Sequence, residues 1–148
     1  MAHTYTNLLI HALFSTKDRR PVLDEEIRHE LFAYMGGIIK AMHGKPVVIN
    51  GPSDHVHLLF TLPATVPLAD LMETLKSNSS KWVRDRWPRR GFAWQTGYTG
   101  FSVSQSRLED VKAYIVNQEA HHKKLTYQEE VLSLLKHHRI EFDPRYVF

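Results

Sequence analysis

The chain has no cysteine. Disulfides, zinc–thiolate sites, iron–sulfur clusters and thiol nucleophiles are therefore excluded. Long hydrophobic runs are missing too: no apolar stretch approaches the roughly 20 residues needed to span a bilayer. The opening residues Met1-Ala2-His3-Thr4-Tyr5 lack the charged lead and unbroken apolar core of a secretory signal. The expectation is a protein that works in the cytoplasm. No glycine loop of the Walker type is present, so nothing indicates chemistry driven by ATP. No internal repeat, low-complexity tract or linker interrupts the chain, and residues 1–148 are expected to form one domain.

What remains has the make-up of an ordinary globular protein, 43% hydrophobic and 24% charged. Nineteen basic residues face sixteen acidic ones, a formal net charge of +3 to which ten histidines can add in mild acid. A small basic excess permits nucleic-acid binding; its placement matters more than its size. Lys17, Arg19 and Arg20 share one loop. Lys76, Lys81, Arg84, Arg86, Arg89 and Arg90 follow one another with only Asp85 against them, and Trp82 and Trp87 lie among them. Such a stretch can neutralise phosphates and stack on unpaired bases, or it can be a solvated helix face. Trp82 falls on an apolar stripe and reads as core, while Trp87 fits either role.

Residues 5–15 are apolar on both faces, as expected of a central strand interrupted by His11. Asp24 caps a helix whose stripe is Ile27, Leu31, Met35, Ile38 and Met42. Gly36-Gly37 within it suggests close packing against a neighbour, a partner subunit being one candidate. Residues 46–50 and 55–62 form a hairpin around Gly51-Pro52-Ser53-Asp54. Pro67 opens a second helix that runs to about Arg86. Residues 92–104 read as a last strand bent at Gly97 and Gly100. Ser106, with Glu109 three positions on, is expected to cap a helix continuing to His121 or His122, and Thr126 with Glu129 to cap a final helix to about His138. The order strand, helix, strand, strand, helix, strand, then two helices predicts an α+β fold. Its plan is a ferredoxin-like (RRM-like) four-stranded antiparallel sheet with helices on one face plus C-terminal helices. The other sheet face is left for a site.

The chemistry concentrates in Asp54-His55-Val56-His57-Leu58-Leu59. Alternate side chains of a strand share a face, so His55 and His57 point the same way and can grip one divalent ion. Alone, this pattern equally describes two wet surface histidines. Downstream, Tyr114 and Gln118 are four apart on one helix, with His121 a turn further. A glutamine oxygen can complete a metal site begun by two imidazoles, and a phenol one turn away can reach the same ion. Half-buried packing is the bland alternative.

Taken together, Asp54–Leu59 and Tyr114-Ile115-Val116-Asn117-Gln118-Glu119-Ala120-His121-His122 resemble the HUH nucleases. In particular they resemble the single-tyrosine transposases of the small insertion sequences numbered two-hundred and six-hundred-and-five. Residues 15–23, 94–98 and 101–104 match as well. The resemblance implies cutting and rejoining of single-stranded DNA at hairpin-marked element ends through a 5′-phosphotyrosine. It assigns the nucleophile to Tyr114 and the metal to His55, His57 and Gln118. It implies a divalent cofactor, Mg2+ or Mn2+; Asp54, Asn117 and His121 are candidates to stand around the metal, as is His11, which reads first as a hydrogen-bonded core histidine. It also implies a homodimer in which the Tyr114 helix can act in trans. Two alternatives stay open at this point: an endonuclease that nicks repeats without moving an element, and a non-catalytic module that binds single-stranded nucleic acid. A histidine-triad hydrolase is disfavoured, because Leu59 stands where a third histidine is needed.

Overall fold

The computed structural model describes residues 3–118, 125–145 and 147. Four antiparallel strands form one sheet in the order β2-β3-β1-β4. They are β1 (Leu8–Ser15), β2 (Lys45–Asn50), β3 (His55–Leu62) and β4 (Thr99–Val103). The two most apolar strands, β1 and β3, are the central pair, as strands buried on both faces should be.

Pleating sorts their side chains. Ala12, Phe14, Val56, Leu58 and Phe60 point to one face and are fully buried beneath α1 (Glu25–Ala41) and α2 (Leu68–Arg86). The carboxylate of Asp24 caps α1 by accepting the Ile27 N–H at 3.1 Å. Of the two α1 glycines, Gly36 would bring a Cβ only into ordinary contact with Ile49, and Gly37 has nothing within 4 Å among the described residues. Within the described residues of this chain, neither is required by close packing.

Gly51 is different. A Cβ there would sit 2.2 Å from the His55 carbonyl oxygen and 2.9 Å from the Val56 Cα, both backbone atoms that cannot step aside. The turn into the histidine strand therefore accepts only glycine. Gly51→Ala should lower the urea midpoint by the equivalent of roughly 1–3 kcal/mol, the usual cost of overpacking. A change below about 0.5 kcal/mol, the scale of an ordinary surface substitution, would show that the turn can open.

The second sheet face carries His11, Leu13, His55, His57 and Phe101, and it is roofed. α3 (Leu108–Val116) is tied to the sheet by the Asn50 amide, which donates to the Ile115 and Val116 carbonyls at 3.0 and 3.3 Å. α4 (Tyr127–His137) packs Tyr127, Val131 and Leu135 on Leu13 and Phe101 in a second core. The site face is thus enclosed rather than open, because the apolar stripe of α4 finds its cover there.

Two expectations are corrected. Residues 92–104 are not one strand: only Thr99–Val103 joins the sheet, and Trp94 makes an isolated bridge to Thr16. The Lys76 ammonium donates to the Gln95 and Gly97 carbonyls, and Gly97 adopts a left-handed φ of 85°, which together turn the chain out of the ladder. Ser106 does not cap α3. It lies in a 3₁₀ turn, Gln105–Arg107, and Arg107 occupies the N-cap position without a side-chain bond. The Thr126–Glu129 capping box is present. The α helix of α3 ends at Val116, and the expected continuation to His121 or His122 falls largely outside the described residues. No helix among the described residues is long and apolar enough to cross a membrane.

Candidate active site

Strand β3 delivers His55 and His57, both 0% exposed, onto the roofed face. Each ring is oriented from behind. The Nδ1 of His55 lies 2.7 Å from Asp54 Oδ1, and the Nδ1 of His57 lies 2.8 Å from His11 Nε2 on the adjacent strand. Both Nε2 atoms are therefore left to converge on one point, and a carboxylate oxygen meets them there. Glu130 Oε1 is 3.2 Å from His55 Nε2 and 2.9 Å from His57 Nε2. The other oxygen, Oε2, accepts the Tyr114 hydroxyl and lies 3.3 Å from the Gln118 amide nitrogen. Glu130 and Gln118 are both buried.

Burial of this much charge is compensated in detail. His11 is held neutral, its pKa lowered to about 3 by burial first and by His57 second. Neutral His11 can accept a hydrogen bond from the His57 Nδ1–H, which would leave the lone pair of His57 Nε2 for a cation at the point it shares with Glu130. For His55, burial works against the charged form, yet the bonds and charges of Asp54 and Glu130 outweigh it and raise the pKa. The Tyr114 phenol is pushed above its ordinary value by burial and by the bond and charge of Glu130.

Two imidazole nitrogens and one carboxylate oxygen, all within 4.8 Å of one another, could hold a divalent ion. Two imidazoles and one carboxylate are a donor set that catalytic Zn2+ and Mn2+ both accept, with positions left open for substrate oxygen. His55, His57 and Tyr114 come together within one chain, the Tyr114 ring lying 5.9 Å from that of His57. Gln118 is buried on the same side, its amide nitrogen 3.3 Å from Glu130 Oε2. Asp54 and His11 stand where supporting groups belong. Asn117 is exposed at the end of α3, and His121 lies outside the described residues.

Glu130 escaped the sequence reading, and so did Tyr127. The Tyr127 ring packs on His55 with centroids 4.7 Å apart, and its hydroxyl donates to Gln95 Oε1 at 3.0 Å. A signal for Glu130 exists: it falls three positions after Tyr127 and one before Val131, so it lies on the apolar stripe of α4. A carboxylate on a buried stripe needs a cation or donors.

The basic stretch is largely committed elsewhere. α2 packs on the sheet face opposite the imidazoles. Lys81 pairs with Asp85, Arg86 with Glu30 and Arg90 with Asp24, and Arg84 donates to the Ser80 hydroxyl. Burial lowers the Lys76 pKa to about 8 while its ammonium holds the two loop carbonyls. Trp82 stacks on Tyr34, and Trp87 meets Trp82 edge-on with Arg86 over its ring. Lys17 and Arg19 are better placed. With Ser15, Gln95 and Tyr127 they line a cavity of about 430 Å³. Arg20 lines the cleft beside it.

A fold of this kind has solved counterparts. One is a protein from Deinococcus radiodurans R1 with a provisional transposase label, determined at 1.90 Å. It aligns at 24% identity and a TM-score of 0.63, covering 80% of this chain and 96% of its own. Another is a REP-associated tyrosine transposase bound to a REP hairpin, at 12% identity and a TM-score of 0.61, covering 84% of this chain and 74% of its own. A search of curated proteins gave no match. The family model described as "Transposase IS200 like" matches residues 4–118, a span that runs from β1 through His55, His57 and Tyr114 to Gln118. The chain belongs to the IS200-like transposase family.

Proposed function

We propose that the protein cuts and rejoins single-stranded DNA at hairpin-marked ends, with Tyr114 as nucleophile and a divalent ion, Mn2+ or Mg2+, held by His55, His57 and Glu130. The observation that carries this is the placement of one carboxylate: Glu130 touches both imidazoles with one oxygen and the Tyr114 hydroxyl with the other. Nucleophile and metal ligands are thereby fixed within one hydrogen bond of each other.

A bound divalent ion supplies Lewis acidity to a phosphate oxygen and offsets the negative charge of Glu130. The rest falls to the chain. His11 and Asp54 orient the two imidazoles. Gln118 steadies Glu130. The Tyr114 oxygen attacks phosphorus, a Tyr–O–P bond forms and the bond to the 3′-oxygen breaks. Glu130 Oε2 already receives the phenol proton in a hydrogen bond, and that proton ends on the departing 3′-oxygen. The products are a 5′-phosphotyrosine and a free 3′-hydroxyl. Because the covalent link keeps the energy of the broken bond, a second 3′-hydroxyl can reverse the step and join new strands. Lys17 and Arg19, beside His55, are the cations best sited for the flanking backbone, with Arg20 and the exposed Arg89 further out. A homodimer is compatible with this arrangement, in which Tyr114 serves its own chain's histidines.

The reading is supported by the resemblance to a hairpin-bound relative and by the metal-competent donor set. Incubating the protein with single-stranded hairpin DNA and Mn2+ should give a covalent protein–DNA band on a denaturing gel. Chelator should abolish the band, and fully duplex DNA should give none. Equal yield with chelator would remove the metal from the account.

A further inference from the structure

Among the described residues, the roof over the histidines leaves an opening beside Tyr114 that the reaction does not use. It is a cavity of about 380 Å³ between the exit of β4, α3 and the end of α4. His11 and Tyr114 close its inner end, Ser104 and the Arg107–Asp110 pair form one wall, and His138 forms another. This volume lies in the range of ligand sites, roughly 300–1,000 Å³.

Three features select the occupant. The first is the His138 ring, which lies flat on Phe101 with centroids 4.1 Å apart and planes 13° from parallel. Phe101 is 4% exposed and cannot move aside, so His138 is held parallel to a fixed phenyl while remaining exposed itself. A ring restrained in this way is a platform for stacking another flat ring. The second is charge. Arg107 pairs with Asp110 at 3.2 Å, so this wall is close to neutral and suits a base better than a phosphate. The third is hydrogen-bonding capacity at the edge, where the Ser104 hydroxyl lines the cavity and bonds the Ser106 hydroxyl at 3.0 Å, a pair in which one hydroxyl proton is left over.

We propose that this cavity seats one unpaired base of the processed strand, stacked on His138, and so holds the adjoining phosphate at Tyr114. The inference rests on the single-strand reading above but concerns a separate site. A strand with a phosphate at the phenol must send its next nucleotide to one side. The cavity on the His55 side is lined by Lys17 and Arg19 and suits backbone phosphates, whereas this near-neutral cavity opens beside Tyr114.

The test is direct binding of fluorescein-labelled dT10 and of a decamer of abasic residues carrying the same phosphates. Full-length protein is used with EDTA present, so no strand is cut. The wild type should bind dT10 at least about fivefold more tightly than the abasic strand, the lower end of what base stacking contributes. His138→Ala should erase that ratio by weakening dT10 alone. His138→Phe, which keeps a flat ring, should restore it. The proposal is overturned by an absent dT10 preference in the wild type, by an unchanged ratio in His138→Ala, or by equal weakening of both probes. Because neither metal nor cleavage enters this measurement, its failure is distinct from failure of the covalent-adduct experiment.

Discussion

Glu130→Gln should weaken Mn2+ binding on the order of 100-fold or more, measured by titration calorimetry or by the Mn2+ resonance signal. Supporting residues around metal sites typically contribute 10–100-fold in affinity, and a ligating oxygen should contribute no less. Glutamine preserves the volume of the side chain and can still accept from the Tyr114 hydroxyl. What it removes is the negative charge between two buried imidazoles. In the unloaded protein His55 should lose one of the two carboxylates that raise its pKa, while Asp54 remains. Gln118→Ala should change Mn2+ affinity much less, because its amide nitrogen faces Glu130 Oε2, whereas Oε1 is the oxygen that meets both imidazoles. The opposite ranking, a large loss in Gln118→Ala and little in Glu130→Gln, would restore glutamine as the third ligand and reduce Glu130 to a space-filling neighbour.

Tyr114→Phe should reduce covalent adduct on the order of 10³-fold or more, since loss of a nucleophile removes a reaction path rather than tuning it. The variant should nevertheless fold and bind metal. Phenylalanine keeps the ring contacts with His11 and His57, at 6.4 and 5.9 Å, and Glu130 keeps both imidazoles. Mn2+ affinity within a few-fold of the wild type, alongside a lost adduct, separates a chemical role from a structural one. The phenol would also make the proposed reaction depend on a metal. Burial and the Glu130 carboxylate both hold its proton on, so attack in the absence of a compensating cation is opposed. An adduct that survives in Tyr114→Phe would assign the nucleophile elsewhere.

Much of the fold was legible because its signals are short in range. The β1 and β3 runs are apolar on both faces, Asp24 and Thr126 cap their helices, and Gly51 sits in the hairpin turn. Strand pairing followed from the strand–helix–strand order. His55 and His57 were legible because a period of two on a strand fixes their common face without further knowledge. Residues 92–104 were misjudged because β-forming residues alone do not place a segment in a sheet. The Lys76 ammonium, 19 residues from its Gln95 acceptor, pulls that loop out of the ladder.

Glu130 was illegible for a related reason. It lies 73 residues from His57 in a helix whose other first-turn acid, Glu129, has an ordinary capping role. An acidic first turn suits the helix dipole without any site. Only the stripe shared with Tyr127 and Val131 marks it as inward. In the basic stretch, Asp85, Glu30 and Asp24 pair with three of the charges, and the last two partners lie 56 and 66 residues away in sequence.

The central claim concerns which atom becomes bonded to DNA, and peptide mapping of the trapped covalent complex reads it directly. After nuclease trimming and trypsin digestion, the residual nucleotide should sit on the peptide spanning residues 113–123, whose sole tyrosine is Tyr114. A nucleotide on the peptide spanning residues 125–136, which carries Tyr127, would contradict the account, as would a complex with no modified tyrosine at all.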